Sequence, residues 1–330
     1  MLNSFNKHLQ KWMPILTPLS LVIGVLLENV GHQLLFLVPW LFAFMTFAGS
    51  LSMNLEGIRS LKKYPTVILM AIAFLHFLMP IWAYFVSTII FHDHLLTIGF
   101  VLAVAVPTGV TSFIWVSICR GHLALCLAII LIDTLISPVV IPALLHIVAG
   151  QSIEIDTASL ILDLLWMIVV PSLIGVALNE FTKGNIAVTL GRKLAPFSKL
   201  SLFSIVMINS SAIAPYIKNI SWELVSVILV VFALAVSGYA LSLVLGHILW
   251  KDISIITMFV FTGGMRNIAV GVVIATTYFP AKTAMPIVFG MLFQQILASF
   301  FSRVMEKYQL KYGKSEISVD VISSSKNNKI

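Results

Sequence analysis

Charge is scarce in this sequence. Asp, Glu, Lys and Arg make up 10% of its 330 residues, and apolar residues make up 59%, whereas a soluble domain carries about 25% charged residues. A surface so poor in charge faces lipid rather than water, which excludes an ordinary soluble protein. No polar stretch is long enough to fold as a soluble domain, so a signalling or scaffold protein lacks its usual module. Cysteine is almost missing too. Cys119 and Cys126 stand seven apart and match no metal or redox spacing. They read as small packing residues, with no metal and no cofactor implied. The His-Glu-x-x-His run of a zinc protease is absent, and with it a catalytic set for an intramembrane enzyme. No catalytic residue is assigned.

Long apolar runs are what the chain has in quantity, each a candidate spanning helix. Hydropathy places ten spans near residues 14–30, 33–54, 65–90, 95–118, 123–148, 158–179, 198–217, 222–249, 253–278 and 283–302. The fold class that follows is an all-α integral membrane protein. Residues 1–13 form a basic N-terminus without a cleavage site, so the first span is read as retained. Residues 14–303 hold the spans. Residues 304–330 form a tail that is rich in Ser, Lys and Asn from Tyr312 and reads as partly disordered.

Basic residues set the direction. Lys7, Lys11, Arg59, Lys62, Lys63, Arg120, Lys183, Arg192, Lys193, Lys199, Lys251 and Arg303 fall on one side. Only Lys218 and Lys282 fall on the other, beside Glu28, Asp93, Glu154, Asp156 and Glu223. The positive-inside bias then puts both termini in the cytoplasm. The net charge of +7 belongs to this topology and gives no ground for nucleic-acid binding. A multi-pass protein of a bacterial plasma membrane fits, surrounded by lipid and with no obligate protein partner indicated.

Five is odd, so two halves of five spans run in opposite directions. The fourth span of each half is interrupted, at Val106-Pro-Thr-Gly-Val-Thr-Ser112 and at Phe261-Thr-Gly-Gly-Met-Arg-Asn267. Pro107 removes a backbone donor and Gly109 loosens the same turn; Gly263 and Gly264 are expected to do the same in the ninth span. Unwound backbone cannot face lipid and must be buried or line a wet cavity. Paired breaks at corresponding positions point to a transporter's binding site at mid-membrane, with Thr111, Ser112, Arg266 and Asn267 as its expected residues. A guanidinium at that depth costs about 2.5–3.5 kcal/mol, so Arg266 is expected to line a cavity or meet a partner. Secondary transport of a small organic anion is the expected function. A channel would need electrogenic flux without saturation.

Several segments together resemble the bile acid:sodium symporter family of ten-span transporters, from about Trp12 to Arg303. They are Phe44-Met-Thr-Phe-Ala-Gly-Ser-Leu51, His76-Phe-Leu-Met-Pro80, Pro107-Thr-Gly-Val-Thr-Ser112, Arg120-Gly-His-Leu-Ala-Leu-Cys126, Ser137-Pro138 and Gly264-Met-Arg-Asn267. The resemblance implies a panel of spans 1, 2, 6 and 7 and a core of spans 3–5 and 8–10. It also implies broken spans 4 and 9 that cross, substrate between panel and core, and alternating access by their relative movement. Asp133 and Asp163 then fall in different domains and make a poor catalytic pair.

The departures from the family pattern matter as much. Phe113 stands where sodium-coupled members carry Asn, and Cys126 and Ile130 where they carry hydroxyl ligands. Thr262 replaces a Glu, Arg266 a Gln and His76 another Gln. Sodium wants oxygen ligands, and a guanidinium nearby repels it, so two family sodium sites look dismantled. Arg266 is then expected to supply the fixed positive charge that sodium supplies elsewhere, receiving a substrate carboxylate or pairing with an internal acid. Asp133 is the candidate acid, and His76, Asp133 and Thr262 are the candidates for coupling to H+ or Na+. Three other readings stay open. They are a static Asp133–Arg266 bridge, an ordinary hydrogen-bonding His76, and sodium coupling through backbone carbonyls with Thr111, Ser112 and Thr262. Asp163, near the start of the sixth span, reads as an interface residue.

Overall fold

A computed structural model describes residues 2–53, 63–150, 156–218 and 221–327. Arg59, Lys62 and Glu154, used above to orient the chain, lie outside them. The described residues are helical nearly throughout and contain no strand. The helices are α1 (Leu2–Leu26), α2 (Glu28–Gln33), α3 (Val38–Ser50), α4 (Pro65–Phe91), α5 (His94–Ala105), α6 (Ser112–Ile118) and α7 (Leu123–Ala149). They continue with α8 (Thr157–Phe181), α9 (Arg192–Ala212), α10 (Ala214–Lys218), α11 (Trp222–Leu249), α12 (Ile253–Gly264), α13 (Ile268–Tyr278) and α14 (Ala284–Asn327). Among the described residues five helical stretches are long and apolar enough to cross a bilayer: α4, α7, α8, α11 and Ala281–Tyr312. Ile15–Leu26 of α1, Leu35–Ser50 with all of α3, and α5, α12 and α13 are shorter apolar helices. The protein is an all-α membrane protein.

Local chemistry sets many of the boundaries. Asp93, Asp156, Ser221 and Asp252 cap α5, α8, α11 and α12 by accepting backbone N–H groups of the first turn. α5 stops because the residue before Pro107 is pushed out of the helical region, and Val106 is extended, with φ −62° and ψ 150°. Pro80 cannot donate to the His76 carbonyl one turn back, and α4 carries a π turn at Phe74–Leu78. In α7, Pro138 leaves the Thr134 carbonyl free, and the Ser137 hydroxyl donates to it at 2.8 Å.

The helices pack in two groups. α1 and α3 pack on α9, and α8 packs on α3 and on α7, while α4, α5, α7, α11, α12 and α14 pack on one another. α13 and α14 bring the second group against the first. One apolar cluster joins the groups: Leu21, Val25, Phe42 and Ile208 meet Val270, Val273, Ile274 and Phe279. A second cluster, around Tyr239, Phe259 and Phe261, lies almost wholly within the second group.

Gly263 and Gly264 have a different job from the one their position in the sequence suggests. They complete the last turn of α12, and the chain unwinds only after them, at Met265–Asn267. Their role is close approach to α11. A Cβ on Gly263 would overlap the Ser242 hydroxyl, and one on Gly264 would overlap the Tyr239 ring. Gly264→Ala is therefore expected to cost about 1–3 kcal/mol through overpacking, read as a lower melting temperature of the purified protein.

The far end of the bundle carries an ion network. Lys282 donates to Asp93 at 2.8 Å and also pairs with Glu223. Burial alone would raise the Asp93 carboxyl, but the bonds from Lys282 and the Leu96 N–H outweigh it and hold the group below its ordinary 3.8. A lowered carboxyl contributes stability above its unfolded pKa and loses it as pH falls through the folded value. Lys282→Gln should thus cost on the order of 1 kcal/mol at neutral pH, since the pair is partly exposed, Lys282 at 20% and Asp93 at 28%. The difference from the parent should shrink as pH drops below 4. Melting curves across pH test this.

Candidate functional site

The two unwound segments meet. Thr108 and Arg266 form an isolated antiparallel bridge, the Gly109 N–H donates to Met265 O at 3.2 Å, and the Asn267 N–H donates to Pro107 O at 2.7 Å. Each break thus satisfies some of the other's freed backbone groups, as unwound backbone in a membrane protein requires. A Cβ on Gly109 would come within 2.9 Å of the Arg266 carbonyl, so this approach requires glycine.

Asp133 in α7 holds the crossing from behind. Its Oδ2 accepts both the Thr108 N–H and the Thr108 hydroxyl at 2.7 Å, and its Oδ1 lies 2.7 Å from His76 Nε2. Asp133 is 0% exposed and His76 3%. The His76 tautomer with its proton on Nε2 donates to this oxygen, and His76 Nδ1 has no hydrogen-bond partner among the described residues. The π turn of α4 is the backbone feature that carries this histidine.

Arg266 is 5% exposed. Its N–H donates to Gln294 Oε1 at 3.0 Å, while both terminal guanidinium nitrogens are sealed from solvent and lack a hydrogen-bond partner among the described residues. Asp133 and Tyr239 are its electrostatic neighbours. No Asp133–Arg266 ion pair forms among the described residues; the carboxylate is taken by His76 and Thr108 instead. A buried, under-bonded guanidinium is costly.

A cavity of about 550 Å³ opens beside the crossing, between α1, α3 and α9 on one wall and α6, α13 and α14 on the other. Thr111 and Asn267 line it, as does part of Arg266. Ser112 does not: it is buried, with its hydroxyl 3.9 Å from Cys126 Sγ. The Thr262 hydroxyl is turned to its own helix, donating to Met258 O at 3.0 Å, and its carbonyl lies 3.4 Å from the Thr108 hydroxyl. Thus Thr108, Asp133, His76 and Thr262 gather behind the crossing, Thr111 and Asn267 in front, and Arg266 between. Among the described residues, no cluster of His, Cys, Asp or Glu could hold a metal ion.

Sequence reasoning missed three residues. In the sequence Thr108 is only part of the break, yet it is the group Asp133 holds. Gln294 and Gln295 line the cavity, and the carbonyl of each is occupied, by Arg266 N–H and by the Trp115 indole N–H at 3.4 Å. Their NH2 groups are left as donors toward an acceptor in the cavity. Two adjacent glutamines in an apolar span were the available signal.

Comparison with known proteins identifies the family. A model of the Sodium Bile acid symporter family matches residues 39–222, a stretch that includes His76, the first break and Asp133 but ends before Arg266. The "Uncharacterized protein YbaS" of Bacillus subtilis is 42% identical over 300 residues, covering 91% of this chain and 98% of its own. The "Uncharacterized sodium-dependent transporter YocS" of the same organism is 23% identical over 304 residues, covering 88% and 92%. The "Probable sodium/metabolite cotransporter BASS1, chloroplastic" of Arabidopsis thaliana is 24% identical over 259 residues, covering 78% and 63%. With the family model spanning more than half of it, the chain belongs to the sodium bile acid symporter family, and it is a membrane transporter rather than an enzyme.

Proposed function

We propose that this protein carries a small organic anion across the bacterial plasma membrane by alternating access, with internal charges standing where relatives hold sodium. The observation that carries the reading is the Asp133 carboxylate, which ties His76 to the unwound Thr108 beside the sealed Arg266 guanidinium. In this reading Arg266 is first a fixed charge. The groups that meet substrate directly are Thr111, Asn267 and the oriented amides of Gln294 and Gln295. Coupling falls to the proton on the His76–Asp133 pair: protonation of the carboxylate weakens its hold on Thr108 and frees the crossing to move.

The proposed architecture has ten spans in two inverted halves, both termini cytoplasmic, α5–α6 and α12–α13 as the crossing broken spans, and α1, α3, α8 and α9 as the panel. Support comes from the one-sided cavity. It reaches from Asn6 to Thr17 of α1 and from Ala195 to Val206 of α9, whereas nearer the C-terminal ends of both helices the shared apolar cluster, and a Tyr278 hydroxyl donating to Asp163, join the two helix groups. Asp163, expected merely to sit near the interface, has a partner across the domains.

Sodium coupling through backbone carbonyls is the second reading, and the names of two relatives favour it. Against it, the Ser112 and Thr262 hydroxyls are buried and engaged elsewhere. The test is uptake of an organic anion, chosen by thermal-shift screening of the purified protein, into vesicles with sodium and pH gradients imposed separately. Uptake driven by the pH gradient in sodium-free buffer is expected; strict dependence on sodium would overturn the proton reading.

A further inference from the structure

Lys199 belongs, by its sequence, with the basic residues that fix the orientation of the chain. In the structure it also lines the cavity. Ala195, Ser198, Lys199, Leu202 and Val206 recur at helical spacing and form the cavity face of α9. The Lys199 ammonium is half-buried and held by Asn6, at 2.6 Å from Oδ1 and 3.4 Å from the carbonyl. Among the described residues that line the cavity none is acidic, and the only cations are Lys199 and Arg266. The terminal nitrogens of Arg266 are sealed, so Lys199 is the cation presented on the panel wall.

We infer that Lys199 is a specificity-determining residue of this cavity, receiving the anionic group of the substrate and selecting organic anions over cations and zwitterions. The inference rests on the transport reading above and adds a residue to it. Low-dielectric walls focus the field of a charge into a cleft and raise the local concentration of the opposite ion. A carboxylate at Lys199 brings a full negative charge to an ammonium that Asn6 holds through neutral oxygens, and attraction between opposite charges is stronger where low-dielectric walls exclude water. The residue therefore has a partner in the empty state and a better one in the loaded state.

The test needs no identified substrate. Ser299 also lines the cavity, and Ser299→Cys provides a thiol there. Cys119 and Cys126 are buried, and protein without the added cysteine gives the blank. The rates of an anionic and a cationic methanethiosulfonate, each divided by its rate with a free thiol, give the charge preference of the cavity. The preference should favour the anion, fall about threefold or more in Lys199→Gln, recover in Lys199→Arg and reverse in Lys199→Glu. It should also weaken as salt is raised with Lys199 intact, a readout that survives if a variant folds badly. A preference that ignores both Lys199 and salt, or that favours the cation, overturns the inference. If organic-anion uptake persists while the thiol preference ignores Lys199, Lys199 alone fails. If the parent takes up no organic anion, the transport reading fails.

Discussion

Asp133→Ala is expected to be the most damaging single substitution in the protein. It leaves the Thr108 N–H and hydroxyl and the His76 imidazole without their acceptor, in a place where Asp133 is 0% exposed. Each orphaned buried donor costs about 1–3 kcal/mol. These contributions are not additive, so the expected loss is about 3 kcal/mol or more, seen as little folded protein after detergent extraction. Asp133→Asn separates stability from coupling, because the amide keeps the shape and one acceptor oxygen while losing the charge. That variant should stay folded and monodisperse, yet its uptake should fall at least about tenfold and become flat with pH, a barrier change of ~1.4 kcal/mol. If its pH response matches the parent's, Asp133 is not the coupling group.

Arg266→Gln carries the second large effect. It removes the guanidinium and installs the residue type that the family resemblance puts at this position. Uptake is expected to drop about tenfold or more, again ~1.4 kcal/mol of barrier, because Asp133 loses its neighbouring positive charge. The double variant Asp133→Asn with Arg266→Gln removes both charges together and should be more stable than the sum of the two single losses, by about 1 kcal/mol or more. Strict additivity in that cycle would show that the two charges do not act on each other. Full activity in Arg266→Ala would remove Arg266 from the mechanism altogether.

Much of the helical framework was legible because it rests on local signals. Aspartate and serine caps, the extended residue before Pro107 and uninterrupted apolar runs locate helices without knowledge of packing. The first break lies at Val106–Thr111, inside the stretch the motif marked. The second lies one turn's edge later than the glycines suggested, because Gly263 and Gly264 answer to the α11 surface, a tertiary demand that sequence does not display. His76, Asp133 and Arg266 stood out as costly polar groups in apolar spans. Their partners did not: the spacing gave no reason to prefer His76 over Arg266 as the partner of Asp133. That choice follows from the π turn in α4 and from the two donors that Thr108 turns toward α7. Lys199 shows a related limit, since a lysine that satisfies a topology rule gives no further sign that it lines a cavity.

Fixed internal charges in the place of sodium leave the ion no site, so sodium binding is the decisive measurement. Purified protein should be titrated with radiolabelled sodium against a choline background, with the Bacillus subtilis sodium-dependent relative as comparator. A ligand that binds only the folded state at a hundred times its Kd adds about 2.7 kcal/mol of stability, so a parallel melting curve reports the same event independently. No saturable sodium binding and no sodium-specific rise in melting temperature are expected. Saturable sodium binding, accompanied by a melting-temperature rise that choline does not reproduce, would contradict the replacement of sodium by fixed charges.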